Sequence, residues 1–370
     1  MSSNPIWRDL RALRSEPPNS VSTDSKKKIF SASLEQSEQY FRAAEEVGYE
    51  TRPVLAFYGL SQMGRAIAAA THRDRHSSPN DWQLSGHGIR VPGISQLASG
   101  IGTLVVRDQG KGSFTQLAHL LRSPSLTKGT TLASVWNSIP EASGHNLPGG
   151  DDHPALWLNE GSDKTRNDWG DFGPPSVIIL DGVPENIPSL VKFMARYPAI
   201  WPPDGMPQYR HERPLRHGPH GQVYISSLHE YVHGGFVTMH GFPYRGKLVA
   251  LPTVSDNDAA MHPILSWWAV LFALSMLARY EPATWAAAIN VDGSRDAVPI
   301  ENLLDEVTST IPSLAFDAIC EYSKSDNDIR TSLLEKEEKC RRDGVVISWR
   351  KARSSMERIL RKDSRGKIAD

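Results

Sequence analysis

The stretch Phe57-Tyr58-Gly59-Leu60-Ser61-Gln62-Met63-Gly64-Arg65-Ala66-Ile67-Ala68-Ala69-Ala70-Thr71-His72 decides how the chain folds. Tyr58, Arg65 and His72 stand seven residues apart, and seven steps of roughly 100° return almost to the starting direction on a helix. The spacing therefore predicts one helical stripe carrying all three. Pro53 opens this helix at a tolerated first-turn position, and the pattern continues to about Arg73. Before it, Ser33 with Gln36 reads as a capping box, and Gly48 as the stop of a helix over Ser33–Val47. Tyr40, Phe41, Ala44 and Val47 give that helix one apolar face. A short turn between the two predicts an antiparallel helical hairpin.

Beyond the hairpin, about Ser77 to Met261, the chain is rich in Gly and Pro, with short strand-like runs at Thr103–Val106, Val177–Leu180 and Lys247–Leu251. Helical patterns return at His262–Tyr280, Pro282–Ile289 and Ile300–Ser323. The expected architecture is mainly α with a mixed α/β insertion. Its segments are a helical block over 1–76, an irregular insertion over 77–261, a second helical block over 262–338 packing on the first, and a tail over 339–370. Pro263–Ala278 is strongly apolar, but its 16 residues fall short of the ~20 of a typical span, so a buried core helix is expected instead of a membrane segment.

A chain of 370 residues suits one large domain or two. With 39% hydrophobic and 22% charged residues, it has the balance of a globular protein. A net charge of −1 argues against coating nucleic acid or anionic membrane with the whole surface. Cys320 and Cys340 are too few for a disulfide framework or a four-thiolate zinc site, and suit a reducing compartment. Met1–Arg14 lacks the apolar core and small-residue cleavage site of a secretory leader, so a cytoplasmic location is expected.

The near-neutral total hides an imbalance. From Lys339 to Asp370 there are eleven basic and four acidic residues, a balance of +7 that leaves −8 on the rest. With Val345, Ile347, Trp349, Met356, Ile359 and Leu360 the tail is partly amphipathic. It suits either RNA phosphates or an acidic protein partner, and equally a solvated helix balancing an acidic body.

Two arrangements could carry chemistry. An Arg and a His on one helical face suit RNA cleavage without a metal. The His72 imidazole would move the 2′-hydroxyl or leaving-group proton, and the Arg65 guanidinium would stabilise the crowded phosphate. The same pattern also describes a solvated polar edge. The second arrangement is Leu228-His229-Glu230-Tyr231-Val232-His233, a formal His-Glu-x-x-His. On a helix, His229 and His233 could ligate zinc, with His240 as a third ligand and Glu230 activating water. Gly234-Gly235 would end such a helix at once, and Gln222–Ile225 before it reads as strand. Seven of the 13 histidines fall between His211 and His262, which favours a chance match. No cofactor is expected otherwise.

Lesser signals read as structure. Gly110-Lys111-Gly112-Ser113 lacks true P-loop spacing. Asp171-Phe172-Gly173 reads as a turn, and Trp267, Trp268 and Trp285 as packing. Arg279, following a very apolar helix, is expected to be held in a structural ion pair with a carboxylate.

Arg65-x6-His72 on a helix after Phe57-Tyr58 resembles the Arg-x(4–6)-His motif of HEPN domains, helical bundles that are often dimeric and in many cases metal-independent ribonucleases. Phe57-Tyr58-Gly59, then Ser85-Gly86-His87-Gly88-Ile89, then Ser275-Met276-Leu277-Ala278-Arg279-Tyr280-Glu281 resembles the YaaC-like family of bacterial proteins, from about Trp7 to about Phe316. The resemblances imply a HEPN-like bundle core and a homodimer. They imply a ribonuclease or RNA-binding effector, of stress response or antiphage defence, with Arg65 and His72 catalytic and Tyr58 or His87 orienting groups. The competing readings are a non-catalytic YaaC-like module binding a nucleotide or partner, and a zinc hydrolase.

Overall fold

The computed structural model describes residues 5–72, 81–97, 99–150, 153–161, 177–180, 183–184, 187–198, 215–217, 223–226, 242–255 and 257–324. The helices are α1 (Ile6–Ser15), α2 (Asp24–Glu45), α3 (Arg52–Thr71), α4 (Ser113–Leu120), α5 (Leu132–Asn137), α6 (Ile187–Met194), α7 (Pro263–Tyr280), α8 (Pro282–Ala288) and α9 (Ala297–Tyr322). The strands are β1 (Ile89–Arg90), β2 (Val105–Asp108), β3 (Thr130–Thr131), β4 (Leu156–Gly161), β5 (Val177–Leu180), β6 (Leu215–His217), β7 (Val223–Ser226), β8 (Phe242–Tyr244) and β9 (Lys247–Ala250). The described chain is mainly helical, with small sheets whose pairings are all antiparallel. It divides into two compact units, one within residues 1–158, 181–205 and 241–324, the other within 159–180 and 206–240.

The first unit is organised around α7. His262 caps it, its Nδ1 accepting from Ile264 N at 3.2 Å, and Pro263 fits the first turn, where no intrahelical N–H bond is needed. By length and composition this helix could cross a membrane, but 78% of its window is buried inside the protein. It packs against α3, α4, α5, α8 and α9, so its apolar residues are covered on every side. Each buried Leu, Ile or Phe is worth ~1.5–3 kcal/mol relative to exposure.

The α2/α3 hairpin is antiparallel. Ser37 Oγ donates to Gly59 O at 2.8 Å midway, and Lys26 Nζ donates to His72 O at 3.1 Å where the start of α2 meets the end of α3. α2 begins nine residues before the expected Ser33, because Thr23 is the cap, its hydroxyl accepting from Lys26 N at 3.2 Å. Ser33 lies mid-helix and buried, so the Ser33/Gln36 capping box does not form. Two glycines permit the close packing of α3. A Cβ on Gly59 would come 2.9 Å from the Phe41 ring, and one on Gly64 2.5 Å from Trp268.

β2 pairs with β1 and β3. Residues 156–158 of β4 pair with β9, which forms a hairpin with β8 through Arg245 (φ 50°) and Gly246 (φ 76°), the two positive dihedrals that a tight hairpin turn requires. The Tyr244 hydroxyl and Arg245 both donate to Glu141, whose carboxyl is raised by burial. In the second unit, residues 159–161 pair with β5, β5 with β7, and β7 with β6.

Candidate functional site

Tyr58 on α3, His87 in the loop before β1, and Arg279 in the last turn of α7 meet on the surface of the first unit. Arg279 Nη1 donates to Tyr58 Oη at 3.2 Å across 221 residues of sequence. Its guanidinium also lies over the rings of Tyr280 (5.1 Å) and Tyr58 (5.8 Å), while Nε donates to Ser275 O at 3.1 Å. Tyr58 stacks on Tyr40 of α2 with centroids 5.8 Å apart. The His87 ring rests against Phe57 (6.0 Å) and Phe272 (5.3 Å), with its other side exposed.

The expected ion pair at Arg279 is not there. Among the described residues no carboxylate lies within ion-pairing reach of it, and Glu281 instead accepts from the Ser95 hydroxyl. The backbone accounts for this: Glu281 leaves helical geometry at the cap (φ −130°, ψ 55°) before Pro282, and its side chain reaches Ser95 instead. A half-buried guanidinium bounded by tyrosine faces is left with donors to spare.

The His87 loop is held by α4. Ser113 N and Oγ both donate to Gly86 O (3.3 and 2.6 Å), Phe114 N to His87 O (3.0 Å) and Gln109 N to Gly88 O (3.0 Å). The Gly110-Lys111-Gly112-Ser113 segment therefore uses its helix-terminal N–H groups to bind a loop of the protein, which leaves them unavailable as a phosphate cradle. Gly86 and Gly88 take positive φ (62° and 71°), and a Cβ on Gly112 would come 2.3 Å from Gly88 N. Gly112→Ala is expected to cost about 1–3 kcal/mol by overpacking and to displace His87. Unchanged denaturant stability, with an unchanged His87 imidazole NMR shift, would count against this close approach.

Burial, and after it the positive charge of Arg279, hold the His87 imidazole below its ordinary range. His87 is then neutral at pH 7, with one ring nitrogen able to accept a proton.

The other sequence-derived residues are distributed differently. Arg65 is exposed and makes no ion pair or hydrogen bond among the described residues. His72 is only 1% exposed. α3 ends at Thr71, and His72 turns to an extended conformation (ψ 128°), so helical spacing no longer governs its side chain. The structure thus joins Tyr58 and His87 through Arg279 and Phe57, and separates Arg65 from His72. His229, Glu230, His233 and His240 lie outside the described residues, as do Asp171-Phe172-Gly173 and the basic tail. Among the described residues there is no cluster of three metal-ligating side chains. Trp267, Trp268 and Trp285 are buried packing residues.

Fold and site together define a mainly helical protein whose aromatic and cationic surface is assembled from three distant segments. The chain belongs to the YaaC-like family: the model of the YaaC-like Protein family matches residues 8–163 and 216–319, which include all three segments. No curated protein and no solved structure matches the chain.

Proposed function

We propose that this YaaC-like chain is a binding module that holds single-stranded RNA at the Tyr58–His87–Arg279 face. One observation carries the reading: Arg279 is a guanidinium between two tyrosine rings, with no carboxylate to neutralise it among the described residues. Arg in that setting supplies a planar fork of donors for phosphate. Tyr58, 37% exposed, and Tyr280, 60% exposed, offer faces on which a base can stack. Stacking of this kind is worth ~1–3 kcal/mol per base and tolerates any sequence.

A HEPN-type ribonuclease using Arg65 and His72 would need an imidazole that reaches RNA, and the near-complete burial of His72 favours binding over cleavage by that pair. A specific observation supports a second reading. Exposed His87, held neutral beside Arg279, has the features of a general base for 2′-hydroxyl attack, with Arg279 stabilising the phosphate.

A labelled RNA hexamer titrated with the full chain tests both. Arg279→Ala is expected to weaken binding at least ~10-fold, the worth of a charge-assisted hydrogen bond, and to reduce the salt slope by ~0.7 for one lost phosphate contact. Tyr58→Ala should weaken binding comparably and leave the slope unchanged. Wild-type affinity in both variants would refute the binding reading. RNA cleavage in EDTA that disappears in His87→Ala would establish the catalytic one, and intact RNA would exclude it.

A further inference from the structure

α2 and α3 form an open concavity with the segment after the hairpin, a cavity of about 330 Å³ lined by Gln36 of α2, Gln62 and Arg65 of α3, and Trp82 and Gln83. That volume lies within the range of small-ligand sites, about 300–1,000 Å³. No Asp or Glu lines it, so Arg65 gives it a positive character. Arg65 is exposed and unpartnered among the described residues. Three carboxamides surround it, each with two donors and an acceptor. Ile29 and Leu84 supply apolar wall.

The groove is in register with the face described above. On α3, Tyr58, Gln62 and Arg65 follow one another at steps of four and three, and on α2, Gln36 and Tyr40 are four apart, so each set forms one ridge. Tyr40 and Tyr58 stack at one end. Arg65 lies seven residues further on, about 10 Å along the helix axis.

We propose that this groove is a second nucleotide subsite, with Arg65 taking a phosphate and the carboxamides of Gln36, Gln62 and Gln83 taking a base edge. The inference rests on the RNA-binding reading of the Tyr58–Arg279 face and extends it along the hairpin. Adenine is the base best matched, because a Gln carboxamide meets its N6 and N7 with a donor and an acceptor at once. One strand then runs from Arg279 to Arg65 over the outer side of the hairpin.

The experiment uses the full chain and a labelled oligoadenylate hexamer, with an oligouridylate hexamer for comparison. Arg65→Ala is expected to weaken oligoadenylate binding about 10-fold and to lower the salt slope by ~0.7. Gln62→Ala should remove the preference for adenine over uracil and leave the slope unchanged. Both positions are at least partly exposed, so an unchanged circular dichroism spectrum is expected. If both variants bind as the parent does while Arg279→Ala fails, the groove proposal is overturned and the face reading stands. If Arg65→Ala fails while Arg279→Ala binds normally, the groove is supported and the face reading falls. No binding of either hexamer by the parent chain overturns both.

Discussion

Trp268→Ala is expected to lower the unfolding free energy of the first unit by about 3–5 kcal/mol, the usual cost of removing a large aromatic side chain from a packed interior. Trp268 is 1% exposed and meets the Phe57 ring edge-on, with centroids 5.9 Å apart. Its far edge fills the space left by the missing side chain of Gly64. The two positions are therefore coupled. Gly64→Leu alone should overpack by about 1–3 kcal/mol, while Gly64→Leu with Trp268→Ala should cost less than the sum. The Trp268 Nε1–H is buried without a hydrogen-bond partner among the described residues, and such an orphan donor costs ~1–3 kcal/mol. Trp268→Phe removes that orphan along with some volume, and should be the mildest change of the set. Urea denaturation of the four proteins decides the matter: a loss below 1 kcal/mol for Trp268→Ala, or strict additivity in the double variant, would be incompatible with this packing. Phe57 also touches His87, so loosening it should shift the His87 imidazole NMR resonances.

The second large effect is acid destabilisation through His262. Its imidazole is fully enclosed, meets Phe242 and Tyr322 edge-on, and is pushed down to about 3 by burial. Its Nδ1 accepts from Ile264 N at 3.2 Å, so the cap of α7 requires the neutral ring. In the unfolded chain the same imidazole titrates near its ordinary 6.5. Between those values the unfolded state holds a proton that the folded state refuses. Stability is therefore intact above pH 6.5 and falls as pH drops towards 3, by up to ~1.4 kcal/mol per pH unit and on the order of 5 kcal/mol in all. His262→Asn keeps an acceptor at the cap and removes the titration. Its stability should start lower at pH 7, from lost packing, and then decline less steeply between pH 6 and 4. Parallel pH profiles for the two proteins would rule His262 out as the source.

Much of the helical framework is legible in the sequence. Pro53 and Pro263 mark helix starts to within a residue, and the apolar run after His262 identifies the central helix. Val177–Leu180 and Lys247–Ala250 stand out as strands from their β-branched and apolar content. Ser33 misleads because capping residues also occur mid-helix, where only the rest of the fold shows that Thr23 caps instead. α1 escapes notice because its ten residues offer just Trp7 and Leu10 to the core.

The site was half legible. Motif resemblance picks out Tyr58, His87 and the Arg279 segment, but periodicity cannot say that they touch, because contact across 221 residues is tertiary. The Arg65/His72 stripe follows from helical arithmetic as far as Thr71, and the arithmetic stops where the helix does. Gln36, Gln62 and Gln83 carry no motif at all. The one available signal was the four-residue step from Gln36 to Tyr40, parallel to that from Tyr58 to Gln62.

The distance in sequence between Tyr58 and Arg279 also sets an order of events during synthesis. At ~5–20 residues per second, the ribosome delivers Arg279 roughly 10–45 s after Tyr58. Throughout that interval α3 has no α7 to cover its apolar side, and Gly64 faces no tryptophan. The apolar side of α3 therefore stays uncovered until the last third of the chain emerges. A product ending before α7 would lack both the Trp268 ring that packs at Gly64 and the Arg279 guanidinium that reaches Tyr58.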